Sequence, residues 1–100
     1  MTKATLIYRN KYIDESGNTI EIVIWRLPKK TTDRPHGIKY RCYYGDASSG
    51  KCFIRYDNES GKGDHKHIGG TEESYEFKNT QKLMKDFMDD VYDLLDEAEE

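Results

Sequence analysis

Leu83, Met84, Phe87, Met88, Val91, Leu94 and Leu95 recur at intervals of three and four residues. That spacing is the apolar stripe of an amphipathic helix. It predicts a helix over residues 80–97, with Asn79 as the N-cap. A helix with one apolar stripe needs a second apolar surface to cover it. The preceding residues must supply that surface, and their periodicity is that of strands.

Residues 4–13 and 19–27 are rich in β-branched and aromatic side chains and flank Glu15-Ser16-Gly17-Asn18, a strong turn signal. This predicts a hairpin. Ile20, Ile22, Val23, Ile24 and Trp25 make its second strand almost continuously apolar, as expected of an interior strand covered on both faces. Pro28 ends that strand, and residues 29–37 read as an exposed basic loop containing His36. Residues 38–44 and 51–57 predict a second hairpin. With Tyr44 opposite Gly50, Cys42 faces Cys52, Tyr40 faces Ile54 and Ile38 faces Tyr56 on the core side. The other side then pairs Tyr43 with Lys51, Arg41 with Phe53 and Lys39 with Arg55. Alternating cations and rings suit a nucleic-acid strand, and they equally suit a solvated face held by cation–π packing. Residues 74–77 add a short extended piece. The expected fold class is α+β: an antiparallel sheet of at least four strands packed by one long C-terminal helix.

One hundred residues suffice for a single domain. No apolar run approaches the roughly 18 to 20 residues of a membrane span, and no signal-peptide layout opens the chain. A cytoplasmic protein with no membrane partner is expected. The net charge of −3 conceals a division: residues 1–70 carry 13 Lys/Arg against 8 Asp/Glu, whereas residues 71–100 carry 3 against 11. A basic body suits phosphates, and an acidic helix suits a basic partner or a solvated surface. Cys42 and Cys52 are too few for a disulfide framework and are expected to be reduced.

Residues 56–67 hold the most unusual chemistry, with two glycines, two lysines, two aspartates and two histidines in a dozen positions. Gly61 and Gly63 bracket Lys62, allowing left-handed backbone that can turn N–H groups inward around an anion. His65 and His67 are one residue apart, so in an extended segment both imidazoles project to one side. Two neighbouring imidazoles near neutrality favour one neutral and one protonated ring, a base and an acid. Cleavage of RNA by its own 2′-hydroxyl needs both, plus positive charge at the phosphate, for which Lys62, Lys66 and Arg55 are candidates. This route needs no cofactor. The same residues admit two other readings: a metal site of His65 and His67 completed by Asp57 or Asp64, or a polar loop closed by hydrogen bonds.

The stretch from Ile54 to Gly69 resembles the TumE family of toxins from bacterial and archaeal type II toxin–antitoxin modules. The family pattern RYDNERGKGDHRH maps onto Arg55 to His67 without gaps. Val23-Ile24-Trp25, Lys39-Tyr40-Arg41, Tyr75 with Phe77, and Asp86-Phe87 also match, so the likeness covers roughly residues 4–92. Ser60 and Lys66 stand where the pattern has arginine, and both changes remove a guanidinium's bidentate grip on phosphate. The resemblance implies a toxin silenced by a cognate antitoxin, a small DNA-binding protein. By analogy with RelE-like toxins it implies RNA or the ribosome as target. The expected site residues are His65, His67, Lys62 and Asp64 for catalysis, and Arg55, Lys66, Arg41, Lys39, Gly61 and Gly63 for phosphate. A metal-dependent phosphoesterase, a protein that only grips RNA, and a weakened toxin that retains only its partner contact remain open.

Overall fold

In the computed structural model, which describes residues 3–59 and 61–99, six strands precede one helix. The strands are β1 (Thr5–Ile13), β2 (Thr19–Arg26), β3 (Ile38–Asp46), β4 (Lys51–Asp57), β5 (His65–Ile68) and β6 (Thr71–Ser74), followed by α1 (Thr80–Glu99). They form one antiparallel sheet in chain order, each strand beside its sequence neighbour. The α+β expectation holds. The helix starts where the sequence places it, with Asn79 Oδ1 accepting a hydrogen bond from the Lys82 N–H at 2.8 Å.

Alternation along the strands sends Ile20, Ile22 and Ile24, then Tyr40, Cys42 and Tyr44, then Ile54 and Tyr56 to one face. Leu83, Phe87 and Val91 of α1 close that face, and each of these side chains is buried. Met84, Met88, Leu94 and Leu95 pack at its margin. The helix lies over β3 and β4. β1 is an exposed edge strand, with Leu6, Ile7, Tyr8, Tyr12 and Ile13 open to solvent.

Three local expectations differ from the structure. First, β2 is interior but covered on one face alone: Ile20, Ile22 and Ile24 are buried, while Glu21, Val23 and Trp25 are half-buried on the open side. Second, the β3–β4 register is offset by four residues, setting Cys42 opposite Tyr56 in place of the expected Cys52, and Tyr44 opposite Ile54 in place of the expected Gly50. The strands pair farther into the turn, with Asp46 opposite Lys51, and a β-bulge between Tyr44 and Gly45 adds the last residue of the offset. Gly45 makes the bulge possible, because a Cβ there would lie 2.5 Å from the Lys51 carbonyl oxygen and from the Tyr43 hydroxyl. Phe53 consequently packs toward the core, its ring 5.6 Å from Tyr44, and does not share the cationic face with Arg41. The two free cysteines do not face each other, and burial pushes the Cys42 thiol up to about 12. Third, the extended piece expected at residues 74–77 lies earlier, as β6.

Tyrosine–carboxylate contacts fasten the helix to the sheet. Tyr75 donates to Asp86 Oδ2 at 2.7 Å, and Tyr56 donates to Asp90. Burial alone would raise the Asp86 pKa, but the Tyr75 hydroxyl and the Lys82 ammonium outweigh it and hold the carboxyl below its usual value. A depressed carboxyl stabilises the fold above the unfolded pKa and loses that contribution as pH falls through the folded value. Asp86→Asn should therefore unfold at lower urea concentration than wild type at neutral pH, with the difference shrinking as acid protonates Asp86. Urea midpoints measured from pH 7 downward check this.

Candidate functional site

The segment expected to be one loop is divided among β4, a turn region over residues 58–64, and β5. That division builds the site. β5 pairs with β4 so that His65 faces Asp57 and His67 faces Arg55. These four side chains lie on the sheet face opposite the helix. The two-residue Gly69-Gly70 turn brings β6 back with Glu72 opposite His67, on the same face.

The hydrogen bonds distinguish the two histidines. His65 is buried, and its Nδ1 lies 3.0 Å from the Gly63 carbonyl oxygen. A carbonyl only accepts, so Nδ1 carries the hydrogen. Arg55 Nη2 lies 3.0 Å from His67 Nε2. A guanidinium only donates, so this nitrogen accepts and the His67 hydrogen sits on Nδ1. The rings stand 5.2 Å apart at 77°. One imidazole is anchored inside the sheet, and the other presents a lone pair toward a cation.

Asp57 joins the two halves. Its Oδ1 is 2.7 Å from His65 Nε2, and its Oδ2 is 3.0 Å from Arg55 Nε. Both distances are those of ion pairs, yet neither approach has the alignment of a hydrogen bond. Arg55 Nε and Asp57 Oδ1 are the buried side-chain polar atoms that lack an aligned partner among the described residues. Buried polar groups are normally satisfied. Both exceptions lie at one spot, on the two residues that face the histidines.

A groove of about 490 Å³ adjoins Asp57, lined by Val23, Trp25, Arg34, Lys39, Tyr40, Arg41, Asp57 and Glu59. Three cations, two carboxylates and the Trp25 indole thus share its wall. Arg41 also pairs with Glu21 at 3.3 Å and lies over the Tyr43 ring.

The remaining expected residues lie elsewhere. Asp64 turns away from the two histidines of β5 and instead accepts from Tyr40 Oη at 2.7 Å, Asn58 Nδ2 at 3.1 Å and His36 Nε2 at 3.0 Å. Burial, then the Asp64 carboxylate, holds the Tyr40 phenol protonated well above its usual value. Lys66 lies on the helix side, 3.4 Å from Glu73 and 3.7 Å from Asp90 and near the Tyr56 ring. Gly61 and Gly63 adopt the left-handed φ values of 85° and 72°. The Gly61 N–H already donates to Asp33 Oδ2 at 2.8 Å, so a carboxylate of the chain occupies the anion position. Lys62 is exposed on the turn. Ser60 lies outside the described residues.

Glu72, Trp25, Arg34 and Asn58 are additions that sequence reasoning missed. The Gly69-Gly70 hairpin signal was enough to place Glu72 beside His67. Asn58 is fully buried and ties the start of β3 to the turn region, accepting from the Tyr40 N–H and donating to the Ile38 carbonyl oxygen. His36 folds inward, its ring centroid 4.2 Å from that of Phe77 and tilted 37° to it.

A family model described as Toxin TumE matches residues 2–95. No curated protein and no solved structure matches the chain. Among the described residues no helix is long and apolar enough to cross a membrane.

Proposed function

The chain belongs to the TumE toxin family, and from that premise we propose that it is a toxin that cuts RNA at the His65–His67 face without a metal ion. The single observation that carries this reading is the pair of adjacent imidazoles with opposite hydrogen-bonding roles, joined through Arg55 and Asp57.

His67 Nε2, the accepting nitrogen, takes the proton of a ribose 2′-hydroxyl. The 2′-oxygen then bonds to the adjacent phosphorus. The bond from phosphorus to the 5′-oxygen breaks, and the leaving oxygen takes the Nε2 proton of the His65 imidazolium, whose charge faces Asp57 Oδ1 at 2.7 Å. The products are a 2′,3′-cyclic phosphate and a 5′-hydroxyl. Arg55 moves from His67 Nε2 to the phosphate and balances the charge of the phosphorane. Asp57 positions both His65 and Arg55. Lys39, Arg41 and Trp25 hold the strand along the groove, while Lys62 and Lys66 contribute long-range charge. The cognate antitoxin is the partner that silences the toxin, and the RNA is reached free or on the ribosome.

Incubating the purified chain with RNA in excess chelator tests this. Fragments ending in 2′,3′-cyclic phosphate are the expected result. Salt-sensitive binding that leaves the RNA intact would select a gripping protein instead, and cleavage lost in chelator would select a metal-dependent phosphoesterase.

A further inference from the structure

Glu72 has no part in the proton transfers above, yet its position gives the same residues a second capability. Its Oε1 lies 3.9 Å from His65 Nε2 and 3.8 Å from His67 Nε2, and the three ligand atoms fall within 4.8 Å of one another. Zinc in a tetrahedral site has bonds of about 2.0–2.1 Å, which set ligand atoms roughly 3.3 Å apart. Closing the trio to that spacing takes displacements of roughly 0.5–1.5 Å, shared between Glu72, whose side chain is 58% exposed, and His67, at 25%.

Two further features favour a cation. In the neutral ring the Gly63 carbonyl holds the hydrogen of His65 on Nδ1, so that zinc, displacing the Nε2 proton, meets a lone pair directed into the trio. A backbone acceptor on the far nitrogen is the usual outer support of a zinc-bound histidine. Asp57 Oδ1, buried and without an aligned hydrogen-bond partner, lies 2.7 Å from that same Nε2. A divalent cation would satisfy it. Two imidazoles with carboxylate oxygens suit zinc better than magnesium or calcium.

We propose that His65, His67 and Glu72 form a zinc site, with Asp57 as buried negative charge beside it, and that zinc bound there silences the toxin by occupying both proton-carrying nitrogens. The silencing rests on the ribonuclease reading, whereas the binding does not. Arg55 opposes the ion, because its guanidinium must leave His67 Nε2 before zinc can take the lone pair. Arg55→Gln is therefore expected to bind zinc more tightly than wild type.

The experiment titrates the purified full chain with zinc chloride calorimetrically and separately measures RNA cleavage with and without zinc. One zinc per chain is expected for wild type, with affinity lowered at least tenfold in His67→Ala and in Glu72→Gln. Glu72→Gln is expected to resist inhibition by zinc, its cleavage rate with zinc staying near its own rate without zinc. Absence of binding to wild type, or equal zinc affinity in Glu72→Gln, would overturn the site. Zinc that left wild-type cleavage unchanged or increased it would overturn the silencing role. If wild type bound zinc and Glu72→Gln did not, while neither cut RNA, the zinc site would stand and the ribonuclease reading would fall.

Discussion

His67→Ala is expected to lower the rate of RNA cleavage by about 10²–10⁴-fold, the usual contribution of one positioned proton-transfer group. The substitution removes the accepting nitrogen that Arg55 addresses at 3.0 Å. The His67 side chain is 25% exposed and belongs to the rim of the sheet face, so the fold should survive. Far-ultraviolet circular dichroism and the urea midpoint are expected to stay near wild type. RNA binding should persist, because Lys39, Arg41 and Trp25 are untouched. A variant that cut RNA normally would exclude His67 as the base. His65→Ala should also abolish cleavage, but it vacates a buried position beside Asp57 and is expected to cost stability as well. The His67 variant is thus the cleaner probe of chemistry.

Phe87→Ala is expected to destabilise the fold by about 3–5 kcal/mol, the range for emptying a buried aromatic site. Phe87 is fully buried at the centre of the helix stripe, and its ring meets Tyr56 edge-on at 5.7 Å. Small domains have only about 5–15 kcal/mol of stability in total, so this one substitution brings the chain close to unfolding at physiological temperature. Urea denaturation followed by tyrosine and tryptophan fluorescence measures the loss. Tyr92→Ala on the same helix is the control: its side chain is 57% exposed, and little change is expected.

These two residues differ in how far the chain itself announces them. Phe87 is legible because a helix repeats every 3.6 residues, and the apolar positions from Leu83 to Leu95 follow that period without interruption. The hairpins are legible for the same kind of reason, through strand alternation and turn residues. The β3–β4 register was not: the strands continue pairing to Asp46, inside the expected turn and opposite Lys51, and the bulge at Gly45 depends on Tyr43 and Lys51 closing around a position without a side chain. A bulge sends Phe53 to the core, and no local pattern distinguishes that from regular pairing.

The sequence alone determined that His65 and His67 share one side, because residues two apart on a strand always do. It also determined a one-sided helix and the sheet needed to cover it. Only the tertiary structure decided what the histidines face. Strand pairing set Asp57 and Arg55 against them and returned Glu72 from the next strand, while the turn carried Asp64 to Tyr40, Asn58 and His36. Residues adjacent in sequence thus separated and residues five or more positions apart met, because alternation assigns a side chain to a face but cross-strand register chooses its neighbours.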